Sequence, residues 1–337
     1  MPHTGLEPKP PWSAVPRAVR ESVEDALGAQ VRRATRVWGG YAPTPTYRLR
    51  LKDGRRAFFK GVGPFSSEFS WTANLHEEQA YRELSGVIGH WLPVFHGAFQ
   101  CDGWHVMLLE DLGPKCVPPW TRSMTRRVTH AYAEFHLTTL GAELPQWLRR
   151  PHQQFADQSR QWSWVVDEDV LRPVAALVGD FAGDALKWLR ASVPVLTEVS
   201  CQLAEAPPPH ALLHRDTRSD NLRWVDGRLR LFDWPHLGVG PVEYDAAGFA
   251  QSVAVEGGPA PEEVMAWYAE RCPVRPDVLD AAVSDLAGYF AGQAWRPEVP
   301  ELPRLRTFQR RQFSVTITWA ARRMGLPEPS WVAGVEA

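Results

Sequence analysis

Lysine is scarce in this chain. Of its 37 basic residues only five are lysines: Lys9, Lys52, Lys60, Lys115 and Lys187. A lysine at a functional spacing therefore carries weight that one more arginine would not. Cysteine is sparse as well. Cys101, Cys116, Cys201 and Cys272 are widely separated and form no CxxC pair, which speaks against a disulfide framework or a zinc site and for reduced, partly buried thiols. No apolar run nears the roughly 18 residues of a spanning helix, and the stretch MPHTGLEPKPPWSAVP lacks the apolar core of a signal peptide. With a formal net charge of −2 there is no excess positive charge to draw nucleic acid or an anionic membrane. The expectation is a cytoplasmic protein, monomer or homodimer, with neither nucleic acid nor membrane as partner.

What is present is enough for a large core. The 337 residues are 44% hydrophobic and 23% charged, as in a globular protein of two lobes or domains. The most informative segment is HRDTRSDN, residues 214 to 221, followed by LRWV, Asp226-Gly227, RLRLF and Asp233. Asp226-Gly227 is a strong two-residue hairpin turn, since both central positions tolerate positive φ. If Val225 pairs with Arg228, Asn221 falls opposite Phe232 and diagonal to Asp233. An amide oxygen and a carboxylate are then held side by side, with Asp216 on the loop just before them. Two rigidly placed oxygen ligands suit Mg²⁺, and a third carboxylate nearby suits a base that orients a hydroxyl. That is apparatus for phosphoryl transfer.

On these residues the chain resembles the aminoglycoside phosphotransferase-like kinases, a family of small-molecule kinases related in fold to protein kinases. The resemblance covers roughly residues 31 to 320, most strongly 210 to 250. It implies a bilobal, protein-kinase-like α+β fold, with a small antiparallel-sheet N-lobe and a larger, mostly helical C-lobe. It also implies Asp216 as catalytic base, Asn221 and Asp233 as magnesium ligands, and His214 as a brace for the loop. Arg218, two residues after the base, stands where protein kinases carry a lysine that touches the transferring phosphate. The co-substrate is ATP or GTP, and Asp245 in EYDAAGF matches a family aspartate that anchors the catalytic loop.

The earlier part of the chain fits the same plan. An N-terminal extension, residues 1–30, holds a Pro-rich lead and the helix-like RAVRESVEDAL. Residues 31–112 form the expected nucleotide-binding lobe, with a strand–loop–strand pattern from Arg36 around Gly39 and Gly40. If Lys52 pairs with Arg55 across the next turn, Lys60 lies opposite Tyr47, beside the end of the glycine loop. A cation there can bind nucleotide phosphates. In NLHEEQAYRELSG, Glu77, Tyr81 and Leu84 follow helical spacing, and in the family such a helix carries the glutamate that pairs with the strand lysine. Glu77 is the favoured partner of Lys60, with Glu78 as the alternative. The strand WHVMLL then leads into Glu110, Asp111 and Leu112, the place of the hinge whose backbone reads the purine edge. Residues 113–337 make up the helical lobe with the catalytic loop and the acceptor site.

Only eleven residues separate Asp233 from Asp245, too few for a segment that docks a polypeptide, so the expected acceptor is a hydroxyl on a small molecule. From residue 113 onward 27 acids face 24 basic residues, a balance too even for a polycation pocket. Eleven of the sixteen tryptophans lie there. Trp162 and Trp164 fall on a stretch that reads as irregular and exposed, and Trp234 follows Asp233; such faces stack on sugars and bases. The expected substrate is an antibiotic of aminoglycoside, nucleoside or macrolide type. The alternatives are a metabolic kinase of choline, homoserine or sugar type, and an inactive kinase-fold binding protein.

Overall fold

Val19, Val23 and Leu27 recur every four residues, so helix α1 (Arg17–Leu27) has one apolar stripe, and it ends at Gly28 in the left-handed conformation. The computed structural model describes residues 7–38, 44–115, 117–155, 161–165 and 167–335. After α1 come strands β1 (Val31–Arg36), β2 (Thr46–Leu51) and β3 (Arg56–Val62), helix α2 (Glu68–Ile88), and strands β4 (Phe95–Cys101) and β5 (Trp104–Leu109). The strands form one antiparallel sheet in the order β1-β2-β3-β5-β4.

One face of that sheet is a core. Tyr47, Leu49, Leu51, Ala57, Phe59, Trp104, Val106 and Leu108 pack with the stripe of α1. Trp12 stands edge-on to Tyr47 and Phe59, with ring centroids 5.1 and 5.3 Å away. The N-terminal segment thereby caps the sheet. This packing also corrects two sequence readings. The first strand begins at Val31, ahead of Arg36. The β2–β3 turn spans three residues, with Leu51 N–H donating to the Arg55 carbonyl and Gly54 at φ 93°. Lys60 therefore pairs with Thr46, and Tyr47 with Phe59. A slip of one residue swaps faces, so the aromatic pair goes to the core and Lys60 to the opposite face.

The chain continues through α3 (Arg122–Thr139), α4 (Pro151–Phe155), α5 (Gln161–Val165), α6 (Glu168–Ala176) and α7 (Ala182–Cys201) to strand β6 (Ala211–Leu213). The hairpin β7 (Leu222–Val225) and β8 (Arg228–Leu231) follows, then β9 (Gly238–Gly240), which pairs antiparallel with β6. Helices α8 (Val242–Val255), α9 (Pro261–Ala269), α10 (Pro276–Ala294) and α11 (Leu305–Arg323) complete the chain. Two compact units result. The first comprises residues 1–116, 220–236 and 300–304; the second comprises 117–219, 237–299 and 305–337. This is the protein-kinase-like α+β architecture, an antiparallel sheet with helices α1 and α2 in the first unit and a mostly helical second unit.

The tryptophan expectation fails where it can be checked. Trp162 is fully buried on α5, its indole donating to the Ser284 carbonyl at 2.7 Å and its ring filling the space over Gly288. Trp234 is fully buried too, donating to the Leu231 carbonyl at 3.2 Å. Both serve packing, and the side chain of Trp164 lies outside the described residues. Among the described residues, Cys101 and Cys272 are free thiols, and no helix is long and apolar enough to cross a membrane.

Candidate active site

Lys60 sits in the middle of an acidic clasp in the first unit. Its ammonium is bonded to Glu77 on α2 and, at 2.6 Å, to Asp233 just past β8. The Asp233 N–H donates to the other Glu77 oxygen at 3.2 Å, and the Tyr81 hydroxyl donates to that oxygen at 3.4 Å. Burial works against the lysine charge, but Asp233 and Glu77 outweigh it and hold the ammonium above its ordinary pKa. Burial raises the Glu77 carboxyl, with Lys60 pulling the other way. The helical stripe on α2 decides the partner. Asn74, Glu77, Tyr81, Leu84 and Ile88 form its buried face, while Glu78 accepts from His105 Nε2 and Arg82 Nε, each at 2.5 Å.

The hairpin has the register read from its turn. Val225 pairs with Arg228 and Leu222 with Leu231, and Asp226 and Gly227 both have positive φ. The Phe232 N–H donates to the Asn221 carbonyl at 3.1 Å, so Asn221 and Asp233 stand at the same open end of one ladder. The hairpin is pinned from outside as well, by Leu231 N–H on the Trp91 carbonyl (2.7 Å) and Arg230 on the carbonyls of His90 and Leu92. Asn221 is buried and Asp233 half-buried at φ 67°, a rare conformation away from glycine. An amide and a carboxylate on a stiff support are hard oxygen donors and fit Mg²⁺, which ordinarily completes its shell with phosphate oxygens and water. No group of three or more His, Cys, Asp or Glu gathers as a metal cluster among the described residues.

In the second unit, Asp245 organises the loop that begins at His214. Its carboxylate accepts the N–H groups of His214 (2.5 Å) and Arg215 (2.7 Å), the Tyr132 hydroxyl (2.8 Å) and His136 Nε2 (3.3 Å). Asp245 lies inside the first turn of α8, whose N-cap is Pro241. Burial raises its pKa, yet the bonds and charge of His136, with His214 and Tyr132, leave it below the usual carboxylate range. His136 is a satisfied core histidine, bonded also to the Tyr268 hydroxyl at 2.7 Å. Arg215 has φ 64°, and the Asp216 N–H then donates to His214 Nδ1 at 3.3 Å. Arg218 turns back onto Asp216, its guanidinium 3.0 Å from that carboxylate.

The remaining candidates are less uniform. Gly39 and Gly40 lie outside the described residues. The Glu110 N–H is already taken by the Val94 carbonyl at 2.8 Å, and Asp111 pairs with Arg48 at 3.0 Å while accepting from Gly113 N–H. Leu112 takes no backbone partner among the described residues. The backbone of Asp111 has none either, so both residues keep backbone groups that can read a base edge. Lys9 was missed. It is buried, donating to Thr46 Oγ1 at 2.8 Å and the Val37 carbonyl at 2.9 Å, with Glu7 3.5 Å away. Since Thr46 is the cross-strand partner of Lys60, a second ammonium stands on the Lys60 face of the sheet. Burial lowers its pKa, with Glu7 opposing and Lys60 adding to the fall. The scarcity of lysine was the one signal that could have singled it out.

Residues 33–279 match the sequence model of the phosphotransferase enzyme family, APH. No curated protein matches the chain. Among solved structures, a spectinomycin phosphotransferase, APH(9)-Ia, in complex with ADP and spectinomycin superposes with a TM-score of 0.61 at 16% identity, over 96% of this chain and 98% of that one. The choline kinase LicA from Streptococcus pneumoniae gives 0.56 at 13% identity, over 90% and 98%. An aminoglycoside phosphotransferase APH(4)-Ia gives 0.55 at 14%, over 89% and 99%.

Proposed function

Because the chain belongs to the phosphotransferase enzyme family, we propose that it transfers the γ-phosphate of ATP or GTP to a hydroxyl of a small, antibiotic-like molecule. The observation that carries this reading is the Lys60–Glu77–Asp233 clasp. It keeps a charged lysine oriented on the sheet and joins it to the hairpin that bears the second metal donor. Drawing charged groups out of water costs several kcal/mol each unless they are paired, and here the pairing leaves the lysine charged and held in one direction.

In this reading Lys60 binds and orients the nucleotide phosphates, with Glu77 fixing its direction. Asn221 and Asp233 hold Mg²⁺. When bound, that ion neutralises charge on the β- and γ-phosphates. Asp216 accepts the proton of the acceptor hydroxyl and aims its oxygen at the γ-phosphorus. The O–P bond to the acceptor forms as the bond to the β-phosphate oxygen breaks, leaving the nucleoside diphosphate. Arg218, held on Asp216, supplies positive charge beside the transferring group. Asp245 keeps the loop backbone in place through His214 and Arg215.

The test is γ-phosphate transfer from labelled ATP and GTP to a panel of antibiotics, with choline, homoserine and a hexose as metabolic controls. Asp216→Ala should lower turnover by roughly two orders of magnitude or more while nucleotide affinity stays near wild type. Unimpaired turnover in that variant would remove Asp216 from the role.

A further inference from the structure

The C-terminal end of α10 gathers three arginines without a carboxylate to balance them. Arg296 follows the last turn of the helix, with its Nε–H on the Gly292 carbonyl at 3.0 Å. Arg306, at the start of α11, donates to the Pro297 carbonyl at 2.9 Å and to Gln309 at 2.6 Å. Arg310, one turn on, reaches the Ala294 carbonyl at 3.3 Å. The three guanidiniums thus cap carbonyls within six residues of one another, on a helix end that favours positive charge. All three are half-buried, and among the described residues none is in an ion pair. Each spends its Nε–H on the backbone, while a guanidinium has five donors in a planar fork suited to carboxylate or phosphate.

Helix geometry ties this cluster to Tyr289. Gly292, whose carbonyl holds the Arg296 Nε–H, follows Tyr289 by three residues, about one turn, so the ring and that carbonyl share a face of α10. Tyr289 is 39% exposed. Burial raises the Tyr289 phenol, the Asp216 carboxylate adds to the rise, and Arg218, Arg306 and Arg296 oppose it. One partly open aromatic face therefore shares its surroundings with the proposed base at one end and the arginines at the other. Among these groups Arg306 is depressed by burial first and then by Arg296, with only Tyr289 opposing and Arg310 adding to the fall. Like charges crowded in this way repel. The helix-end carbonyls account for where the Nε–H groups point. They do not balance three full charges.

We propose that Arg296, Arg306 and Arg310, with the Tyr289 ring, form the subsite of the acceptor, which carries an anionic group, a carboxylate or a phosphate, beside the hydroxyl presented to Asp216. The proposal rests on the kinase reading above and narrows its substrate class. A polycationic acceptor would meet repulsion here. An anionic group on the acceptor would be gripped by a bidentate fork, and its ring would find a flat face to stack on.

The test uses three matched probes with a ring and a hydroxyl: 4-(hydroxymethyl)benzoate, benzyl alcohol and 4-(aminomethyl)benzyl alcohol. Full-length protein labelled with ¹⁵N-arginine and saturated with Mg·ADP is titrated at constant ionic strength, following the Nε–H signals of Arg296 and Arg306. The benzoate should move both signals and bind at least tenfold more tightly than the amine. The variant Arg296→Glu/Arg306→Glu, checked for folding by its Mg·ADP binding, should reverse that order. The proposal falls if the amine binds as tightly as the benzoate, if no probe moves these signals, or if the double variant keeps the anion preference. The kinase reading is tested separately, by phosphate transfer from labelled ATP or GTP to the same probes in samples free of ADP. Anion preference without transfer to any acceptor defeats that reading alone, and transfer without anion preference defeats the subsite alone.

Discussion

At the scale of single residues, charge placed away from water decides most of what this molecule can do. Half-buried Lys60 and buried Asp245 both stay ionised because their partners outweigh the cost of leaving water. Asp285 is the contrary case. It lies buried on α10, one carboxylate oxygen without a hydrogen bond, and burial lifts its pKa to about 8 despite the opposing charge of Arg215. The sign of its effect on stability follows from proton counting. Between the ordinary aspartate value, about 4, and about 8, the unfolded chain loses the proton that the folded chain keeps, so stability falls as pH rises. Asp285 thus contributes its full share below about pH 4 and has lost it above about pH 8. Asp285→Asn should therefore gain on the wild type by a few kcal/mol, about 4 at most, between pH 5 and pH 8. Urea unfolding of both proteins at the two pH values measures this; a difference that does not change with pH would mean the carboxyl ionises normally.

At the scale of elements, the β7–β8 hairpin shows why part of the site was legible and part was not. Its turn chemistry is local, so Asp226-Gly227 was enough to set the register and to bring Asn221 and Asp233 to one end. The β2–β3 turn was misread by one residue because Lys52-Asp53-Gly54 closes through three residues, and the deciding factor was distant: the stripe of α1 and Trp12, which claim Tyr47 and Phe59 for the core. Trp162 and Trp234 failed for a similar reason, since nothing near them in sequence announces Gly288 or the Leu231 carbonyl as a partner. Lys9 depends on a bond to Thr46 across 37 residues. The hairpin also yields a graded prediction. Gly227 has φ 75°, where a β-branched side chain is strained by about 1–2 kcal/mol. Gly227→Val should lower stability by about that much in urea unfolding and weaken Mg²⁺-dependent nucleotide binding, while Gly227→Asn should do much less of either. Equal effects of the two would show that φ at this position does not govern the ladder.

At the scale of the whole molecule, the family model spans residues 33–279, and the fold is shared with kinases of quite different acceptors. The family model says that a phosphotransferase scaffold is present; a shared fold at 13–16% identity leaves the acceptor to be read from side chains. The even charge balance from residue 113 onward disfavours a polycation pocket, and the arginines at the end of α10 are the basis of the anionic acceptor proposed above. The central claim, that Lys60, Asn221 and Asp233 serve a magnesium-bound nucleoside triphosphate, is tested most directly by titrating wild type and Asp233→Asn with ATP and GTP by calorimetry, with Mg²⁺ and with EDTA. The account predicts that the wild type binds at least one of the two nucleotides in a Mg²⁺-dependent manner, and that Asp233→Asn loses at least tenfold in affinity, about 1.4 kcal/mol. Binding of equal strength in EDTA, or unchanged in Asp233→Asn, would contradict it.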